Sequence, residues 1–240
     1  MGPMTKIVCL SDTHGRLPYD LPPSDITLLA GDLVPGGDAL RLWGHAHGIR
    51  GSNPNVLEAV WLDIPFRAWL NWIPTKKVIA VAGNHDRVFE QAPELVPKLP
   101  WCYLQDNFII FEGLKIYASP HQLNFCNWSF NLSEEELARK WRMIPDDTNI
   151  LLLHGPPYGY GDLAPRTVTD ANEQTWPGGE HIGSLSLLER IHELKQLRLC
   201  VYGHCHSGRG DWKLGEATLA NVTLLDEQYK MVHKPYVFEI

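Results

Sequence analysis

The sequence predicts an α/β fold of mixed sheets covered by helices, and three observations lead to it. Five short apolar runs, "KIVCLSD", "DITLLAGD", "KKVIAVAGNHD", "NILLLHG" and "LRLCVYGH", each end in polar or glycine-containing punctuation. Both faces of these runs are apolar, as in strands buried within a sheet. Helical patterns lie between the runs, while the tail "ATLANVTLLDEQYKMVHKPYVFEI" reads as strands with no helix among them. Alternation first and strands last is the order that mixed, helix-covered sheets require.

From Asn55 to Ile73 the residues Leu57, Val60, Trp61, Ile64, Ala68 and Trp69 recur at helical spacing, with Pro65 expected to break or kink the helix. "NFIIFEGLKIYASP" places Glu112-Gly113 between two strand-like runs, which predicts an antiparallel hairpin. A helix over 133–144 opens with Ser133 and Glu136 at capping-box spacing, where each side chain satisfies a free N–H at the helix start. A further helix over 184–197 is expected to carry Leu185, Leu188, Ile191 and Leu194 on one face.

The chain has 240 residues, 44% hydrophobic and 20% charged, enough for one large domain with a substantial core, so residues 1–240 are read as a single domain. A net charge of -7 argues against extended nucleic-acid binding, which depends on Lys and Arg neutralising phosphates. Five cysteines with no C-x-x-C pair suggest neither a disulfide framework nor a zinc knuckle, and read as reduced thiols. No basic segment precedes a signal-length apolar stretch, and no run of 18 apolar residues occurs, so a cytoplasmic, non-membrane protein is expected. Met4 reads as the natural start, after an appended Met1-Gly2-Pro3.

The ends of the five runs carry metal-capable groups: Asp12-Thr13-His14, Gly31-Asp32, Gly83-Asn84-His85-Asp86, His154-Gly155 and Gly203-His204-Cys205-His206. In open α/β sheets the carboxyl ends of strands form the ligand crevice, so residues distant in sequence meet there. Imidazoles, carboxylates and one amide oxygen suit Mn, Fe, Zn or Co better than soft-metal sites do. Seven ligands exceed what one ion needs, which points to two metals and a shared carboxylate.

In this order, D-x-H, G-D, G-N-H-D, H and G-H-x-H resemble the signature of the calcineurin-like metallophosphoesterases, over Asp12 to His206. The resemblance implies a four-layer α-β-β-α sandwich, two mixed sheets flanked by helices, with the metal site at the strand C-terminal ends. It implies two divalent ions, Mn first, with Fe, Zn, Co or Ni as alternatives. Asp12, His14 and His206 would hold one ion, Asn84, His154 and His204 the other, and Asp32 would bridge. A bridging hydroxide would attack phosphorus. His85 would be the proton donor or charge stabiliser near the leaving group, and Asp86 structural.

The Ser/Thr protein phosphatases of this superfamily read G-D-x-x-D-R-G in the second block. Here "GDLVPGG" puts Pro35 and Gly36 where that Asp and Arg would stand, which disfavours a protein phosphatase. The chain more closely resembles the small single-domain, cyclic-nucleotide-phosphodiesterase-like branch, through "SDTHG", "FCNWSFNL", "LLLHGPPYGYGD", "HIGSLSLLERI" and "DEQYK" with "PYVFEI". The segment from Trp43 to Trp72, with "GHAHGIRGSNPN", is longer than its counterpart in that branch and is expected to form a lid or an interface.

Other candidates are weaker in kind. His181 precedes a helix start whose N–H groups could receive a phosphate oxygen, and Arg16 and Arg87 directly follow metal motifs, so all three are candidate substrate contacts. The nine tryptophans read mostly as core and helix packing, with Trp128 the first to test for stacking on a substrate base, while Cys205, His45, His47 and His192 read as packing or surface residues. The expected activity is hydrolysis of a small phosphodiester, including cyclic nucleotides. The alternatives are a phosphomonoesterase, an exonuclease at nucleic-acid ends, or a weakly active nucleotide-binding or interaction protein. A homodimer is compatible with the sequence, which does not fix the oligomeric state.

Overall fold

The computed structural model describes residues 4–49, 53–164, 167–169, 175–177 and 179–240, with the side chains of 167–169 and 175–177 left aside. Met1 to Pro3, and Arg50 to Ser52 of the 43–72 segment, lie outside the described residues. The first sheet holds β1 (Lys6–Leu10), β2 (Ser24–Ala30), β3 (Thr75–Val81) and the short β4 (Cys102–Tyr103), all parallel. The final strand, β15 (Tyr236–Glu239), pairs antiparallel with β1.

The second sheet runs in the order β13 (Gly210–Leu214), β14 (Ala217–Asn221), β12 (Leu199–Tyr202), β9 (Ile150–Leu153), β6 (Leu114–Ser119), β5 (Asn107–Phe111). Its four central strands are parallel and its two edges antiparallel. The expected hairpin joins β5 to β6 through Glu112 and Gly113, both at positive φ, 50° and 75°. Smaller two-stranded pairs are β7 (Gln122–Leu123) with β8 (Asn131–Leu132) and β10 (Thr167–Thr169) with β11 (Thr175–Pro177).

Strand alternation assigns the core. Ile7, Cys9, Ile26, Leu28, Ile79 and Val81 of the first sheet meet Ile116, Ile150, Leu152, Leu199 and Val201 of the second in one buried layer. The opposite face of the first sheet, with Val8, Leu10, Leu29 and Ala80, packs against helices α1 (Gly37–Ala46), α2 (Pro54–Trp61), α3 (Arg67–Trp72) and α4 (Val88–Gln91). The outer face of the second, with Tyr117, Leu151, Leu153 and Tyr202, packs on α5 (Glu134–Trp141) and α6 (Leu185–Glu193). The chain is therefore the four-layer α-β-β-α sandwich. Among the described residues no helix is long and apolar enough to cross a membrane.

The helix is interrupted at Pro65 as expected, where a π-helical turn over Leu62–Phe66 separates α2 from α3 and absorbs the N–H that proline lacks. The described residues of the 43–72 segment bury Leu57, Trp61, Phe66 and Trp69 against the first sheet. On α6 the buried face is Leu187, Ile191 and Leu194, while Leu185, the first helical residue, is exposed. Ser133 and Glu136 form the expected capping box at the start of α5.

Candidate metal centre

The parallel strands of both sheets end at the same edge of the sandwich. Asp12 and His14 follow β1, Asp32 follows β2 and Asn84 and His85 follow β3; His154 follows β9, and His204 and His206 follow β12. These turns are tight. Asp12, His14, Asp32 and His204 all have positive φ, at 53°, 41°, 52° and 68°, a conformation that costs a non-glycine residue on the order of 1–3 kcal/mol. Backbone bonds between the two loops hold it, with Asp12 N–H donating to Gly31 O (3.0 Å) and His14 N–H to Asp32 O (2.9 Å). Gly31, at φ 91°, leaves room that a Cβ would take 2.6 Å from His154 Nδ1. A Cβ on Gly203 would collide with the Asp12 carboxylate.

The side chains converge into two overlapping groups. Ligand atoms of Asp12, His14 and His206 lie within 4.8 Å of one another, and so do those of Asp12, Asp32 and His154. Asp32 stands between two imidazoles, with Oδ2 3.5 Å from His14 Nε2 and Oδ1 3.5 Å from His154 Nε2. Asn84 Oδ1 lies 2.7 Å from His154 Nε2 and 2.8 Å from His204 Nδ1, so two further ligand atoms join His154 there. Carbonyl oxygens orient two of the rings: His154 Nδ1 is 2.9 Å from Ala30 O, and His206 Nδ1 is 3.0 Å from Asp226 O. Each ring thereby turns Nε2 toward the centre. All seven residues expected to bind metal are in this one cluster.

Its electrostatics fit a pair of cations. Burial, then the charges of Asp12 and Asp86, push the Asp32 carboxyl well above the ordinary range. Asp12 moves the other way: burial alone would raise it, but the hydrogen bond and charge of His206 hold it below. Burial lowers His14, His154 and His204, leaving neutral nitrogens able to coordinate. Two adjacent buried carboxylates facing neutral imidazoles repel each other unless positive charge lies between them. Oxygen and imidazole donors without thiolate match borderline to hard divalent ions.

His85 flanks the cluster. Its N–H donates to Asp32 Oδ1 at 2.8 Å, and its ring meets His14 (centroids 4.9 Å) and Trp128 (5.0 Å). Burial, with the His154 and Arg87 charges, brings it down to about 3, and no carboxylate bonds to the ring among the described residues. Asp86 is structural as expected: it is buried and accepts the N–H groups of Gly83, Leu33 and Val34.

A cleft of about 300 Å³ opens over the centre, floored by His14, Asp32, His85, His204 and His206. Phe125, Trp128, Ile182 and Tyr229 form walls, and Glu227 and Gln228 also line it. No Lys or Arg lines it among the described residues. Trp128, singled out in the sequence, is thus in place.

The three candidate substrate contacts are elsewhere. Arg16 is exposed and does not line the cleft. Arg87 lines a separate small pocket behind His85. His181 lies in a neighbouring groove with Nδ1 2.8 Å from Asp162 Oδ1. The helix start beside it is already served, since Ser184 Oγ accepts Leu187 N–H and Glu134 Oε1 accepts Ser186 N–H. Cys205 is buried with Sγ donating to Leu163 O, and His45, His47 and His192 are exposed, as expected.

Tyr229 was missed from sequence. Its ring packs on His14 (4.8 Å) and His206 (5.2 Å), on a turn where Asp226 Oδ1 accepts the N–H groups of Gln228 and Lys230. The one available signal was "DEQYK", a polar cluster in an otherwise strand-like tail.

The family model described as calcineurin-like phosphoesterase matches residues 5–208. Human metallophosphoesterase domain-containing protein 1 is 30% identical over 263 residues, covering 98% of this chain and 71% of that protein. The crystal structure of phosphopantetheinyl hydrolase from Mycobacterium tuberculosis aligns with a TM-score of 0.55 at 15% identity, covering all of this chain and 97% of that one. A dimetal phosphatase from Danio rerio aligns at 0.50 and 10% identity, covering 93% of this chain and 88% of that one. The chain belongs to the calcineurin-like phosphoesterase family.

Proposed function

We propose that this calcineurin-like phosphoesterase hydrolyses small phosphodiesters, cyclic nucleotides among them, with two divalent ions at the strand-end cluster, Mn first. The observation that carries the reading is Asp32, whose two oxygens each face the imidazole of a different group at 3.5 Å. One carboxylate aimed at two sites is the requirement for a bridge. In this assignment Asp12, His14 and His206 hold one ion and Asn84, His154 and His204 the other. When bound, the pair supplies an acidified water and polarises the phosphoryl oxygens.

The chain's own residues shape the remainder. A ring with its pKa down at about 3 is neutral at pH 7, so His85 acts by donating an N–H bond to the leaving oxygen, where negative charge develops. Aromatic faces of Phe125, Trp128 and Tyr229 suit a flat apolar substituent such as a base or an aryl group. Among the described residues no Lys or Arg lines the cleft to partner a second phosphate charge, which favours a singly charged diester over a monoester. The odd cysteine count without a pairing pattern supports a cytoplasmic setting.

The test is hydrolysis of bis-p-nitrophenyl phosphate and p-nitrophenyl phosphate by Mn-loaded protein beside His85→Ala. The diester should be cleaved faster, and His85→Ala should lose roughly 10²-fold or more of kcat with both ions retained, the range for one positioned proton-handling group. Faster monoester cleavage would contradict the diester assignment, and an unchanged rate in His85→Ala would remove His85 from the chemistry.

A further inference from the structure

Tyr229 stands over the ligand group of Asp12, His14 and His206. Its ring meets His14 edge-on (interplanar angle 73°) and His206 likewise (72°), and it lines the cleft together with His85. His14 thus has two aromatic neighbours at nearly equal distance, His85 at 4.9 Å and Tyr229 at 4.8 Å between centroids. The Tyr229 hydroxyl has no hydrogen-bond partner among the described residues. Burial, then the charges of Asp32 and Asp12, push the phenol up to about 12, so the hydroxyl end lies inward, toward the two carboxylates of the centre. A polar group drawn into a site without a partner there is an exception that calls for a reason.

The backbone holds the residue in this place. Tyr229 has φ 57°, in the left-handed region that favours glycine. Its N–H donates to Asp226 O at 2.9 Å, and Asp226 N–H donates to Lys230 O at 2.9 Å. The Asp226 side chain closes the turn further, with Oδ1 accepting Gln228 N–H at 2.9 Å and Lys230 N–H at 2.8 Å. The carbonyl that accepts Tyr229 N–H also lies 3.0 Å from His206 Nδ1. One carbonyl therefore sets both the ligand ring and the tyrosine packed on it, so the hydroxyl keeps a fixed position relative to the ligand group. Residues held in such a conformation by their surroundings cluster at functional sites.

We infer that Tyr229 is a further catalytic residue, whose hydroxyl donates a hydrogen bond to a non-bridging phosphoryl oxygen of the substrate on the side of Asp12, His14 and His206. The inference rests on the phosphoesterase reading of the cleft and deepens it. Negative charge on the non-bridging oxygens is stabilised by a donor already fixed in place, which needs no reorganisation at the moment of reaction. The two residues beside His14 then divide the work: His85 serves the leaving oxygen and Tyr229 a non-bridging one. No bond to Tyr229 forms or breaks, and it keeps its proton throughout. With no Lys or Arg lining the cleft among the described residues, a neutral donor of this kind suits a singly charged phosphodiester.

Calorimetric titration of inorganic phosphate into the Mn-loaded full chain tests this apart from turnover, with the Mn content of each protein counted first. Tyr229→Phe keeps the ring and its packing on His14 and His206 and removes the hydroxyl alone. The expected result is unchanged Mn content, phosphate bound about tenfold more weakly, and kcat on bis-p-nitrophenyl phosphate lower by about tenfold or more. Tyr229→Leu, which removes the ring as well, should lose at least as much. Phosphate affinity and kcat both within twofold of wild type in Tyr229→Phe would overturn the contact, even if Tyr229→Leu is impaired, because the ring alone would then matter. Loss of an ion in Tyr229→Phe would also overturn it, by assigning the hydroxyl to metal retention. The two readings fail separately: a tenfold loss of phosphate affinity in Tyr229→Phe with no turnover of any phosphoester by the wild type keeps the contact and defeats the hydrolase assignment. Wild-type turnover with neither quantity changed in the variant does the reverse.

Discussion

His85 illustrates how single residues act here. With Pro35 and Gly36 in the second loop, no carboxylate bonds to the His85 ring among the described residues, and aromatic packing from His14 and Trp128 positions it instead. An aromatic pair of this kind contributes about 0.5–1.5 kcal/mol beyond its buried area. Trp128→Ala should therefore lower kcat on bis-p-nitrophenyl phosphate by roughly two- to tenfold, with Trp128→Phe recovering most of it. Equal losses in the two variants would show that packing on His85 is not the cause. The metal-binding side chains were legible in the sequence because each follows an apolar run that could only be a buried strand, so their meeting place followed from topology. Tyr229 was not, because its position depends on a turn with φ 57° organised by Asp226, and nothing local distinguishes it from a surface tyrosine.

Elements were legible where period and punctuation agreed. The five buried strands, the Glu112-Gly113 hairpin and the Ser133 capping box all have local chemical signatures, and all are present. At Pro65 the missing N–H is absorbed by widening one turn between α2 and α3, while the flanking Trp61, Phe66 and Trp69 are held in the core. Leu185 misled because a first-turn residue stands off the sheet that the rest of α6 covers. Element packing also fixes a pH response through Glu58 on α2, which is pinned to the first residue of α4. Its folded pKa is about 8 against an ordinary 4.5, so the native carboxyl keeps a proton that the unfolded chain has released. The stability this gives is fully present below about pH 4.5 and is lost as pH rises through about 8. At 1.4 kcal/mol per unit the full shift corresponds to a loss of about 5 kcal/mol at most. Urea titrations should show wild-type stability falling from pH 5 to 9 more steeply than that of Glu58→Gln; parallel curves would mean that Glu58 is ionised in the native state.

At the scale of the whole molecule, the sandwich matters because its two sheets end together. Asp12, Asp32 and Asn84 come from the first sheet and His154, His204 and His206 from the second, so each candidate group draws on both. The sheet-to-sheet core of Ile7, Cys9, Ile79, Ile150 and Val201 therefore sets the spacing of the ligands as well as the stability of the fold. Two-sheet architecture could be anticipated from the resemblance carried by the motifs, whereas the aromatic cleft walls come from loops whose path no periodicity encodes. The measurement that tests the central claim most directly is the metal content of Mn-loaded protein, counted by plasma mass spectrometry beside Asp32→Ala. The account predicts two ions per chain in the wild type and at most one in the variant; two ions retained without Asp32 would contradict the bridged centre.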